Sequence, residues 1–567
     1  MRKTKVVLAK VLTAAMVISS FAGVQGITSE AAAKPKLSKK SVSITVGKTK
    51  KITVKKAKKY KVSWKMKSKK IASFKKSGKY AVKVKAKKAG KTTLTATIKK
   101  GKKTKKLVCK ITVKKNSPKV TKTPVNTPTT SPSNVPKTTE VPIVKPTATA
   151  TAEPQDTTPA MKEIFKGVID NVGTCLTYNQ TWNNRKEMQD VSTMKFVDKN
   201  FNSFTLENEM KPDSMLNKHN MISVADAKAK GYVISDDYKE STVPELTLET
   251  IDGVLAIAKQ HNIRMRAHTL MWHQQTPTWF FKKNYDDEEA VVDEATMNAR
   301  LEFFVRTIMR HTMQKEKELT GEVGSIVYAW DVLNEYIHRS NAAAATTWVS
   351  VYGDMGLKPT YVKAAFEYAY DELKKENVQD KVTLFYNDYD TYFSVDDELA
   401  LISYINEGED AKICGGIGMQ SHVDIKRPTL EEYGNALKAF INAGLEVQIT
   451  ELDITINFDT DDTDGRTPTY AYKNEKETDV DQAAFTKDFI KQIVDIQKNR
   501  NKIISPKGIT GITVWGISDQ TSWRGSCKPL FFTRKNVRVK DETTGKYKTV
   551  YTYVPKKSYE AMIEALK

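Results

Sequence analysis

Cysteine is scarce: Cys109, Cys175, Cys414 and Cys527 are the only four in 567 residues. They are too few and too scattered for a disulfide-built scaffold or a zinc signature, so no metal site is expected. Spacing alone leaves open whether Cys175 pairs with Cys527. Arginine, aspartate and glutamate are missing altogether from Lys34 to Lys122, a stretch that holds 35 lysines. Past the first 33 residues no apolar run approaches the ~20 residues of a membrane span, and none is expected. The formal charge of +26 therefore belongs to one end of the chain, and residues 160–567 are net acidic. Bulk basicity gives no reason to expect a nucleic-acid partner, since the basic stretch offers no guanidinium fork for bases or phosphates.

What is present divides the chain into four parts. Residues 1–33 read as a signal peptide: Arg2, Lys3, Lys5 and Lys10 precede an apolar stretch from Val11 to Val24, and small residues follow at Ala31 to Ala33. This order implies a secreted protein, with the cleavage site and retention at the cell surface left open. Residues 34–115 show strand-like alternation at Ser41–Val46, Tyr60–Met66, Tyr80–Ala86, Thr92–Ile98 and Leu107–Val113, as a β-sandwich requires. With Trp64 on a central run and a turn at Ala89-Gly90, this part loosely resembles the bacterial immunoglobulin-like modules. Its lysines fit either contact with anionic cell-wall or plant polysaccharide or a spacer whose charges block edge pairing. Residues 116–159 are rich in Pro and Thr and read as an extended linker whose glycosylation is undetermined.

From residue 160 to 567 apolar runs alternate with helical periods, the pattern of a parallel sheet. Eight runs stand out: Val172–Leu176, Ser203–Leu206, Arg264–Leu270, Val327–Leu333, Val382–Tyr386, Gly416–Gln420, Val447–Thr450 and Gly511–Trp515. Helical periods cover Leu248–Gln260, Thr296–Gln314, Tyr361–Glu376, Leu430–Ala443 and Asp481–Asn499. The class is α/β, a (β/α)₈ TIM barrel behind an all-β immunoglobulin-like sandwich.

Reactive groups of such a barrel come from the C-terminal ends of its strands. Those ends carry Glu207-Asn208-Glu209, His268 with Trp272 and Gln275, Asn334-Glu335, Asn387-Asp388-Tyr389, Gln420-Ser421-His422, Glu451-Leu452-Asp453, and Trp515 with Trp523 beyond. One such cluster is ordinarily structural. Seven at equivalent positions point to a site. Two carboxylates, Glu335 and Glu451, three strands apart and interleaved with aromatic and amide groups, suit glycosidic bond cleavage. One protonates the leaving oxygen and the other attacks the anomeric carbon.

The runs FNSFTLENEMKPD, RAHTLMWHQQTPTW, YAWDVLNE, LFYNDYD, GIGMQSHVD, VQITELDI and VWGISDQTSW resemble, in order, the strand-end signatures of the family 10 glycoside hydrolases, the barrel xylanases. The resemblance spans nearly all of residues 162–567. It implies a retaining endo-1,4-β-xylanase without a cofactor, monomeric, acting on xylan or xylo-oligosaccharides. It also implies Glu335 as acid/base beside Asn334, and Glu451 as nucleophile supported by His422 and Asp453. Glu207, Asn208, Lys211, His268, Trp272, Gln275, Gln420, Trp515 and Trp523 match glycone-side contacts, and Tyr389 an aglycone-side one.

The sequence departs from that pattern in places. Pro212–Val243 is long and polar, Ser340–Asp354 reads as a loop over the aglycone side, and Val537–Val539 with Tyr547–Tyr553 suggests an added hairpin. Asp459–Asp479 is an acidic insertion, read as a solvated loop in preference to a calcium site because its carboxylates lack regular spacing. Two other functions remain to be tested: a β-1,4-glucanase using the same two glutamates, and a noncatalytic polysaccharide-binding surface protein.

Overall fold

The computed structural model describes residues 35–114 and 158–567, apart from 40, 56, 58, 59, 101, 102, 181–184, 218, 339–341, 457–474, 541–544 and 546. The signal-like segment, the linker and most of the acidic insertion lie outside the described residues. The chain divides into two compact units, Met1–Ala148 and Thr149–Lys567. No helix among the described residues is long and apolar enough to cross a membrane.

The first unit has eight strands: β1 (Lys36–Leu37), β2 (Ser41–Thr45), β3 (Thr49–Lys55), β4 (Lys61–Met66), β5 (Ala72–Gly78), β6 (Ala81–Ala86), β7 (Gly90–Lys100) and β8 (Lys103–Lys114). They form two sheets, ordered β1-β3-β6-β5 and β2-β8-β7-β4. Alternation drives the packing: Ile52, Val82 and Val84 of one sheet meet Leu94, Cys109 and Ile111 of the other, while intervening lysines stay outside. The five expected runs are all strands. β1, β3 and β5 were not anticipated, because their few apolar residues are diluted by lysine, serine and threonine.

In the second unit eight parallel strands close on themselves: β9 (Asn171–Leu176), β10 (Ser203–Leu206), β11 (Arg264–Trp272), β12 (Val327–Asn334), β13 (Thr383–Asp388), β14 (Gly416–Met419), β15 (Glu446–Thr455) and β16 (Ile509–Val514). Pairing of Gly511 with Asn171 joins β16 to β9 and completes the ring. Eight helices follow the strands in turn: α1 (Val191–Asn200), α2 (Leu248–His261), α3 (Glu294–Thr320), α4 (Thr360–Lys375), α5 (Val395–Ile405), α6 (Leu430–Asn442), α7 (Glu475–Asn499) and α8 (Lys557–Ala565). Thr429 caps α6 with a reciprocal bond pair to Glu432, and Asp293 caps α3.

One expectation changes, and two points left open by the sequence gain an answer. The segment read as a loop at Ser340–Asp354 contains a helix, Ala342–Tyr352, as four consecutive alanines of top helix propensity favour. The polar stretch after Lys211 is built from two one-turn helices and a small ladder pairing Met221–Ser223 with Thr242–Pro244. All four cysteines are buried, free thiols, so Cys175 and Cys527 are not paired. The added hairpin is present as β17 (Phe532–Lys540) and β18 (Tyr547–Pro555). Tyr553 stacks on Phe196 of α1 at 4.3 Å and anchors it.

Candidate active site

Glu335 ends β12 with a left-handed backbone, φ 58°. A glutamate adopts this conformation only when its surroundings impose it, at a cost of about 1–3 kcal/mol. Here the Glu335 amide donates to the Asn387 carbonyl at 2.8 Å, fixing the turn. Four side chains then hold its carboxylate. Trp272 Nε1 (2.8 Å) and Gln274 Nε2 (3.3 Å) donate to Oε2, and Asn334 Nδ2 (3.1 Å) and Gln420 Nε2 (3.0 Å) donate to Oε1.

Glu451 lies within β15, its amide bonded to the Gln420 carbonyl at 2.9 Å. Asn387 Nδ2 donates to Oε1 at 2.9 Å, and His422 Nε2 lies 3.2 Å from Oε2. His422 Nδ1 is 2.9 Å from Asp453 Oδ2. Trp523 Nε1 donates to the same Asp453 oxygen at 3.1 Å, and Arg524 donates to Oδ1 at 3.3 Å. Asp453 is thus the buried base of a chain running through His422 to Glu451.

These surroundings drive the two glutamates apart in acidity. Burial, then the negative charge of Asp388, pushes Glu335 up to about 7, with the Glu451 charge adding to the rise and the Gln420 and Trp272 bonds opposing it. Burial acts in the same upward direction on Glu451. The His422 bond and the charges of His268, His422 and Lys211 overcome it and hold Glu451 down at about 2. Burial works against a charged His422, but Asp453 and Glu451 raise it to about 9. One carboxyl is thereby disposed to hold a proton near neutral pH while its neighbour is ionised.

The remaining expected residues line the same end of the barrel. Lys211 donates to Asn208 Oδ1 at 3.3 Å and sits 4.7 Å over the Trp272 ring. Glu207 is paired with Arg185 at 2.5 Å. His268 Nδ1 lies 2.9 Å from Asp331 Oδ2, and its ring stands edge-on to Trp515 at 5.9 Å. Tyr389 packs against His338 at 4.5 Å. Gln275 turns aside to Asp213, 3.3 Å away, and its neighbour Gln274 reaches Glu335 instead.

The sequence reading missed Arg185, Gln274, Asn387 and Arg524 as partners of site residues, and with them the charged layer below, where Arg266 pairs with Asp331 and donates to Gln448 at 2.8 Å. Among the described residues, His338, Asp388 and Glu398 form the one cluster of ligand-type groups within 4.8 Å. Asp388 accepts from the Tyr386 hydroxyl and from the Ile337 and Tyr389 amides, and His338 Nδ1 lies 3.1 Å from its Oδ1.

The family model for glycosyl hydrolase family 10 matches residues 160–551. Endo-1,4-beta-xylanase A of Butyrivibrio fibrisolvens is 40% identical over 352 residues, covering 62% of this chain and 76% of that protein. Endo-1,4-beta-xylanase B of the same organism is 32% identical over 346 residues, covering 60% of this chain but only 47% of that protein. Among solved structures, the CBM22-1 and GH10 modules of a Clostridium thermocellum endo-1,4-beta-D-xylanase complexed with xylohexaose superpose with a TM-score of 0.51 at 26% identity, covering 72% of this chain and 68% of that one.

Proposed function

Because the chain belongs to glycosyl hydrolase family 10 and is a retaining endo-1,4-β-xylanase, we propose that Glu335 is its acid/base and Glu451 its nucleophile. The observation that carries this assignment is the placement of two buried carboxyls at the same end of the barrel, Glu335 held by Trp272, Asn334 and Gln420 and Glu451 by Asn387 and His422.

In the first step Glu451 Oε attacks the anomeric carbon of the xylose at the cleavage point, while Glu335 gives its proton to the departing glycosidic oxygen. Esterification of Glu451 removes its negative charge. That charge helps keep the proton on Glu335, so Glu335 becomes a stronger acid once the glycosyl-enzyme forms. It is then ionised when water must be activated. Water attacks the anomeric carbon, Glu335 takes its proton, and Glu451 leaves as carboxylate.

The supporting roles in this reading are those that the resemblance implies. Asn334 faces the 2-hydroxyl beside the cleavage point. His422, braced by Asp453, keeps Glu451 ionised and aimed. Glu207, Asn208, Lys211, His268, Trp272, Gln420, Trp515 and Trp523 hold the glycone, with indole faces against sugar faces and polar groups on hydroxyls, while Gln275 is turned to Asp213. Tyr389 stacks on the aglycone.

Export of the chain is part of the same reading, supported by the basic, apolar and small-residue order of residues 1–33. So is contact between the lysine-rich unit and an anionic wall polysaccharide, supported by its uncompensated charge. Comparing reducing ends released from xylan and from carboxymethylcellulose tests the activity: xylan should be cut much faster. Equal rates would favour a glucanase, and no release from either would leave only a binding protein.

A further inference from the structure

We propose that the outer face of the sheet β1-β3-β6-β5 docks a contiguous polyuronate, an acidic polysaccharide with a carboxylate on every sugar. This rests on the reading of the lysine-rich unit as a contact for anionic polysaccharide and narrows it to one face and one chemistry.

Strand register carries the inference. Lys51 of β3 is paired with Lys83 of β6, and Lys83 is paired with Lys75 of β5, which puts three exposed lysines side by side across three strands. Lys36 and Lys55 are likewise opposite each other on β1 and β3. Like charges directly across a sheet destabilise it, and the sequence from Lys34 to Lys122 has no carboxylate to offset them. Edge protection accounts for only part of the row: Lys75 is on the edge strand β5 and β1 covers β3 only at Val54 and Lys55, but Lys83 lies on β6 with a paired strand on each side. The other sheet sets Lys61 opposite Lys99 and Lys100 opposite Lys103 near one end but has no row of three among the described residues. Its Lys65, Lys106 and Lys110 are each beside threonine, in the rows Lys65–Thr95–Val108, Ser63–Thr97–Lys106 and Thr93–Lys110.

Neighbouring strands lie about 4.8 Å apart, so a ligand that neutralises three adjacent ammonium groups needs closely repeated anions. A polymer with one carboxylate per ring supplies them, whereas a xylan with occasional uronate branches does not. Lysine ammoniums suit such a row because they are point charges on flexible stems, tolerant of carboxylate orientation, unlike the planar guanidinium fork. Holding one polysaccharide of a plant wall would raise the effective concentration of the barrel on another polysaccharide of that wall.

The test uses the full-length chain. Retention on cross-linked polygalacturonate is measured at low and high salt for the wild type, for Lys51→Gln/Lys75→Gln/Lys83→Gln, and for Lys65→Gln/Lys106→Gln/Lys110→Gln. Salt-sensitive retention of the wild type is expected, reduced about tenfold in the first variant, the scale of three exposed ion pairs, and less than about threefold in the second. Equal losses in both variants would mean unselective attraction and overturn the proposal. So would tighter retention on poly(glycerol phosphate) than on polygalacturonate, or no retention. Release of reducing ends from soluble xylan by all three proteins keeps the two readings separate: hydrolysis without retention removes the docking surface and leaves the xylanase intact.

Discussion

The side-chain amide of Asn387 donates to Oε1 of Glu451 across 2.9 Å. The same nitrogen lies 2.9 Å from Oδ1 of Asn334, the residue before Glu335. Thr450 donates to the other end of that amide at 2.6 Å, which leaves only the nitrogen to face the glutamate. One side chain on β13 therefore sets the position of Glu451 relative to the strand that leads into Glu335. Replacing Asn387 by Ala should lower kcat by ~10- to 10²-fold, the scale of one lost hydrogen bond to a charged group. A rise in KM alone, with kcat unchanged, would show that Asn387 serves substrate binding instead.

Glu335→Gln should cost ~10²-fold or more on xylan, on the scale of general acid catalysis. Glu451→Gln should cost more, because the covalent route itself is lost. Reducing-end release measures both. An aryl xyloside whose phenol leaves without protonation should recover part of the loss in the first variant and none in the second.

The alkaline limb of activity should fall near pH 7, because the active form of Glu335 holds its proton and that carboxyl titrates at about 7. Glu451, held at about 2, stays ionised through this range. Asp388 contributes a negative charge that keeps the proton on Glu335, so Asp388→Asn should move the limb toward lower pH. The profile of kcat/KM for the two proteins checks the direction. An unmoved limb would assign it to another group.

Arg266→Met should destabilise the barrel by about 3–5 kcal/mol, since removing one partner leaves Asp331 buried without its countercharge. Both side chains are essentially inaccessible, and Asp331 also orients His268. Urea unfolding of the two proteins measures the difference, and a shift within about 1 kcal/mol would show that His268 alone satisfies Asp331.

The barrel was legible because its strands are short apolar runs ending in polar clusters, and Ser203–Leu206 is a strand at the boundaries expected. Glu335, Glu451, His422 and Asp453 were legible for the same reason, each at or just beyond the end of an apolar run. Partnership was less legible. Gln274 and Gln275 are adjacent and chemically identical, and only the folded loop decides that the first turns to Glu335 and the second to Asp213. Arg266 reads as an ordinary strand residue until β11 and β12 bring it against Asp331. In the first unit β3 escaped notice because only Ile52 and Val54 are buried in a run of Lys and Thr.

The start of the barrel unit has one more consequence. Met161 donates its amide to Asn200, the last residue of α1, and Gln497 near the end of α7 donates to the Val168 carbonyl. Both contacts lie where helices finish and strands begin, opposite the rim that carries the glutamates. Met161 and Val168 are thus fastened to the floor of the barrel by bonds independent of Glu335 and Glu451.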